Sequence, residues 1–153
     1  MRRLVVLPLA ALTVVVALAA PVAAATTTHY SPRAAARGTA AVSPSGCYQK
    51  ANNPHRSEHF GWIAGEVKTQ CRIFVPKISQ VAQLWEGRWW GWDRVGTRPN
   101  ETVYWKRYQS ISANVTCRHS SMKVTGSGSV IDVDEHTYYA STESNHVNNP
   151  CGL

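Results

Sequence analysis

His55-Arg56-Ser57-Glu58-His59 is the segment whose residue types point most directly to reactive chemistry. It has the H-x-x-E-H order. On a helix, histidines four apart share a face and bind zinc, and the glutamate activates the metal-bound water. The flanks argue against a helix: Asn52-Asn53-Pro54 precedes the segment and Phe60-Gly61-Trp62 follows it, as turn chemistry in a β-rich chain. The segment therefore reads as a loop in which Pro54 fixes the backbone and His55 or Ser57 bonds nearby main chain. No metal and no cofactor is expected. Asn53, His55, Ser57, Glu58 and His59 stand as a candidate recognition loop.

The second group is aromatic. Trp85, Trp89, Trp90, Trp92 and Trp105 are five of the six tryptophans and lie within 21 residues, with Tyr104 and Tyr108 beside them. On a strand running Trp89–Val95, Trp90 and Trp92 share one face and Trp89 takes the other, which predicts one core ring and one exposed ring. So small a domain has no room inside for all of them. Outward rings beside Arg88 and Arg94 make a flat platform suited to sugar rings or a protein surface. The competing reading is that the rings cover the sheet and pack under loops.

Asp132, Asp134 and Glu135 offer hard oxygen ligands, but no complete calcium loop surrounds them, so a solvated hairpin is the reading. Nine scattered acids nominate no carboxylate pair for glycoside hydrolysis. No Gly-x-Ser-x-Gly occurs. The chain carries no nominated catalytic residue.

These residues must be positioned by strands. Val67, Thr69, Cys71, Ile73 and Val75 alternate with Lys68, Gln70 and Arg72, and Ile111, Ala113, Val115 and Cys117 alternate with Ser112, Asn114 and Thr116. Further strands are expected at Ile78–Trp85, Trp89–Val95, Thr102–Tyr108 and Thr137–Ser141, with two short ones around a Gly126-Ser127-Gly128 turn. Seven or eight short strands with regular turn signals predict an all-β, antiparallel, immunoglobulin-like β-sandwich, a small closed barrel being the alternative.

The 153-residue chain opens with a basic head, an apolar run and Pro21-Val22-Ala23-Ala24-Ala25, which reads as a cleaved export signal over residues 1–25. Residues 26–46 read as a disordered leader and residues 47–153 as one disulfide-stabilised domain. Without Arg2 and Arg3 the chain keeps 14 Lys+Arg against 9 Asp+Glu, a net charge near +5 with no run of three cations. That balance gives no basic stripe for nucleic acid. Four cysteines in an exported chain predict two disulfides. Cys47–Cys71 with Cys117–Cys151 is the favoured pairing, each bond worth roughly 3–4 kcal/mol. Cys71–Cys117, the immunoglobulin-type bridge, is the second choice.

Asn53-Pro54-His55-Arg56-Ser57, Leu84-Trp85, Trp89-Trp90-Gly91-Trp92 and Ser112-Ala113-Asn114-Val115 together resemble a group of small secreted actinobacterial proteins over residues 47–151. The resemblance implies export and a β-sandwich and transfers no catalytic residue. Trp85 and Glu86 depart from it, standing where a tyrosine and an arginine are expected. The expectation is a secreted, monomeric, non-enzymatic binding module without a membrane span, its ligand an envelope glycan or an extracellular protein. A secreted protein inhibitor acting through residues 52–59 is the alternative, and a small extracellular hydrolase the third reading.

Overall fold

The computed structural model describes residues 27–31 and 42–152; the expected signal segment lies outside them. Nine antiparallel strands follow in chain order: β1 Thr27–His29, β2 Tyr48–Ala51, β3 His55–Arg56, β4 Trp62–Arg88, β5 Gly91–Val95, β6 Asn100–Thr116, β7 Ser121–Ile131, β8 Thr137–Glu143 and β9 Val147–Asn148. No helix occurs among the described residues. The fold is all-β, with nine strands among the described residues where seven or eight were expected. The difference arises because expected neighbours fuse and short pairs are added. Val67–Val75 and Ile78–Trp85 are both parts of the 27-residue β4, and Thr102–Tyr108 continues into Ile111–Thr116 as β6.

A bulge allows β4 to run so long. Gln70 pairs with Tyr108 but Val75 pairs with Lys106, so residues 71–74 oppose Arg107 alone. Such an insertion bends a strand and re-aims its side chains. Ile63, Val67, Thr69, Cys71 and Val75 are buried up to this point, and beyond Pro76 the buried residues include Ile78, Gln80, Ala82 and Leu84. The inward parity thus switches from odd to even between Val75 and Ile78. The two halves of β4 then face each other across one core, where Ile63, Val67 and Ile111 meet Leu84, Met122 and Val124.

The expected turn at Gly126-Ser127-Gly128 is instead the middle of β7. A Cβ at Gly126 would stand 2.5 Å from Val67 Cγ1, and one at Gly128 would stand 2.7 Å from the Tyr30 hydroxyl. These glycines let other parts of the core approach the strand closely, so they do not break it.

Residues 27–31 and 42–46, within the stretch read as a leader, belong to this fold. β1 pairs with β2, and Ser31 and Tyr139 exchange backbone hydrogen bonds of 2.9 and 2.7 Å, so the path β1-β2-β4-β7-β8 closes on the residues after β1. Tyr30 is fully buried, its hydroxyl 2.9 Å from Thr69 Oγ1 and accepting from Gln49 Nε2 at 3.2 Å. Tyr30, the β1–β2 pairing and the Ser31–Tyr139 bonds together anchor the segment.

Burial pushes the Tyr30 pKa up to about 12, outweighing the Thr69 hydrogen bond. Below about pH 10 the ring is neutral in both folded and unfolded chains, so nothing is lost. Between pH 10 and about 12 only the unfolded chain ionises, and roughly 2–3 kcal/mol of stability drains away. Denaturant melts at pH 9 and 11.5 should show this loss, and Tyr30→Phe should lose the Tyr30 share of it, the remainder including Tyr138, whose pKa the hydrogen bond to Asp134 raises to about 12.

The disulfides join Cys47 to Cys71 and Cys117 to Cys151, the pairing favoured from spacing. Each ties a chain segment to one end of the sheet. Among the described residues no helix is long and apolar enough to cross a membrane.

Candidate functional site

The outer face of the second half of β4 carries the site. Odd-numbered residues point away from the core there, so Trp85 stands in one row with Arg94 of β5 and Lys123 of β7, and Gly87 stands in a row with Trp92. β7 places Ser121, Lys123, Thr125 and Ser127 on this face by strict alternation, and β8 adds Ser141 opposite Ser127.

Each ring is held by neighbours of known chemistry. Trp85 donates its indole N–H to Thr125 Oγ1 at 2.7 Å, and the Arg94 guanidinium lies 5.2 Å from its ring centroid. The Lys123 ammonium lies 4.6 Å from the Trp92 ring, whose other neighbour is His146 at 6.2 Å. Cations near indole faces are attracted to the ring quadrupole. Beside Trp85, a groove of about 170 Å³ is lined by Gln83, Arg94, Arg98, Thr125, Ser127 and Ser141. Arg94 and Arg98 have no ion-pair partner among the described residues, whereas Lys123 pairs with Glu143 at 3.0 Å. The groove thus offers one aromatic wall, two cations and three hydroxyls.

Trp89 and Trp90 differ from the expectation that one of them is core. They form the two-residue turn between Arg88 and Gly91, which β4–β5 pairing leaves outside the ladder. Gly91 takes a φ of 138°, open to glycine and not to other residues. Both rings are in water, Trp89 at 92 % and Trp90 at 60 % exposure, and they meet edge to face with centroids 5.1 Å apart. Trp89→Ala and Trp90→Ala should therefore each cost less than about 1 kcal/mol in a denaturant melt, far below a core tryptophan.

Arg88 works beneath the turn as a positioning group. Its guanidinium is 2.7 Å from buried Glu86 and 3.7 Å from Asp93, and Asp93 accepts the Trp90 indole N–H at 3.3 Å. Glu86 also takes Arg118 at 3.0 Å and the Ser120 hydroxyl at 2.7 Å. A chain of contacts from Glu86 through Arg88 and Asp93 thereby sets Trp90.

Trp105 does not join this group. It falls opposite Pro76 of β4, nine residues from Trp85 and roughly 30 Å away by strand rise. Lys123, Thr125, Ser127, Ser141, Gln83 and Arg98 were missed by residue-type reasoning. The alternation of residues 121–129 held the signal, hidden by reading its glycines as a turn.

The loop of Asn53, His55, Ser57, Glu58 and His59 is a small hairpin: His55–Arg56 pairs with Ile63–Ala64, and the Ser57 N–H donates to Trp62 O at 2.8 Å. Pro54 is buried, and His55 lies with Nδ1 3.1 Å from Asn53 O. On this extended and turned backbone the histidines do not share a helical face. Ser57 and His59 border a hollow of about 330 Å³ with Trp62, Thr97 and Asn114. Among the described residues no three His, Cys, Asp or Glu side chains gather as a metal site.

Asp132 is 0 % exposed and is occupied by the hydroxyls of Ser43 and Ser45 and by the backbone N–H groups of Ser45 and Val133. Asp134 accepts from Tyr138 and from the His136 N–H. The acidic turn is used internally. No protein family, curated protein or solved structure matches this chain.

Proposed function

We propose that this chain is a secreted binding module for an envelope glycan, which it holds on the outer face of β4, β5, β7 and β8. The observation that carries the reading is that Trp85 and Trp92 stand on the outer side of the sheet with Arg94 and Lys123 against their rings. Sugar rings stack on indole faces, and hydroxyls beside the ring fix their orientation. Unpaired Arg94 and Arg98 favour a glycan bearing carboxylate or phosphate.

Export after residue 25, kinship with the small secreted actinobacterial group and a sandwich-like core built from the two halves of β4 are parts of the same reading. The hollows beside the aromatic face and the loop contain no carboxylate in their walls, which favours binding over hydrolysis. The test is sedimentation of the purified chain with insoluble cell-wall glycan, run in parallel with capture from culture supernatant. Retention on glycan supports the reading. Capture of a protein alone, lost when residues 53–59 are replaced, would replace it with the inhibitor reading.

A further inference from the structure

We propose that the corner of the sheet formed by residues 72–77 and 104–107 docks on an anionic phospholipid surface, independently of the glycan face. The corner exists because of the β4 bulge, whose extra residues include Arg72, Ile73 and Phe74. Phe74 is 59 % exposed and Trp105 is 69 % exposed. Trp105 has the strand parity of Val103 and Gln109, which face the core, so a regular strand would turn it inward. It has a φ of 51°, in the left-handed region that a bulky residue rarely adopts, and it stands outward opposite Pro76, which has no N–H to donate to the ladder. A ring held out of the core by a strained backbone is a feature the surrounding fold maintains.

The rings are surrounded by cations. The Arg107 guanidinium lies 6.0 Å from the Phe74 ring, the Lys77 ammonium lies 6.0 Å from the Tyr104 ring, and Arg72 and Lys106 are alongside. The neighbouring β7–β8 turn brings Asp134 and Glu135, and Asp134 is engaged by Tyr138. The exposed charge at this end remains positive. The base is fixed by the Cys47–Cys71 bond and by the Arg72 N–H donating to Ser45 O at 2.9 Å.

Aromatic rings ringed by lysine and arginine match the boundary between anionic headgroups and acyl chains: the rings enter the boundary while the long cationic stems reach the headgroups. A soluble polyanion would use the cations and leave Ile73, Phe74 and Trp105 in water. A second copy of the same surface would bring like charges together across the contact.

The experiment is flotation of the full chain with vesicles of equal parts phosphatidylglycerol and phosphatidylcholine, against phosphatidylcholine alone, with dextran sulfate as a soluble polyanion. Preference for the anionic vesicles by at least ~10-fold is expected. Phe74→Asn with Trp105→Asn should reduce that binding about tenfold, asparagine being tolerant of positive φ, and Lys106→Gln with Arg107→Gln should reduce it similarly. The glutamine pair changes exposed side chains alone, so it tests the claim even if the asparagine pair fails to fold. Equal binding to both vesicles, no vesicle binding, or capture by dextran sulfate with no loss in the asparagine pair would each overturn the proposal. So would a self-association in sedimentation that both pairs abolish. Glycan retention should persist in both variants, which separates this result from the test of the glycan face.

Discussion

Glu86→Ala is expected to lower stability by about 3 kcal/mol, among the largest losses from any single charged residue in the domain. Glu86 is buried and its two oxygens serve Arg88, Arg118 and Ser120. Breaking a buried ion pair by removing one partner typically costs more than the pair contributed, because the other charge is left without compensation. Here the arginines are more than a third exposed, which moderates the cost. Arg118 is less free than its exposure suggests, because its Nε is buried without a partner. Glu86→Gln keeps the shape and should cost less, about 1.5–3 kcal/mol. Thermal melts should show a shift of roughly 10 °C or more for the alanine variant. A loss within experimental scatter would mean that the cluster is solvated and does not fix the Trp89-Trp90 turn.

Asp132→Ala should cost a similar amount for a different reason. It would leave the buried Ser43 and Ser45 hydroxyls and two N–H groups without their charged acceptor, each such bond being worth about 1.5–3 kcal/mol, non-additively. Burial alone would raise the Asp132 carboxyl pKa, but the hydrogen bonds from Ser43, Ser45 and Val133 outweigh it and the pKa is lowered. The sign follows. This stabilisation is full above the unfolded-state value near ~4 and is lost as pH falls through the lower folded-state value. Melts of the native chain between pH 6 and 2 should show that loss, and Asp132→Ala should lack most of it. Equal acid sensitivity in both proteins would place the acid-labile group elsewhere.

The two predictions also show what was legible before the fold was known. Alternation made the strands visible because one face of each is buried and the other wet, and the disulfide pairing followed from spacing. The bulge at residues 71–74 was invisible: Ile73 and Phe74 continue the apolar run, and only the register shift against β6 and their exposure show them displaced outward. The same limit hid Trp105, whose orientation depends on a positive φ and on Pro76 across the strand. Gly126 and Gly128 read as a turn because local sequence cannot reveal that Val67 and Tyr30 press on them from distant segments. Asp132 sat in an acidic cluster typical of a solvated turn, and its partners lie 87 and 89 positions away. At the aromatic site the rings were found by type, while Lys123, Thr125 and Ser141 required the sheet to bring them alongside.

The central claim is that the Trp85–Trp92 face, with Arg94, holds a glycan. Titration calorimetry of soluble envelope-glycan fragments against the native chain, Trp92→Ala and Arg94→Gln tests it most directly. A hot-spot ring on this face predicts a loss of about 2 kcal/mol, roughly 30-fold in Kd, for Trp92→Ala, with a smaller loss for Arg94→Gln and melting temperatures close to native. Unchanged affinity in Trp92→Ala, with the fold intact, would contradict the account.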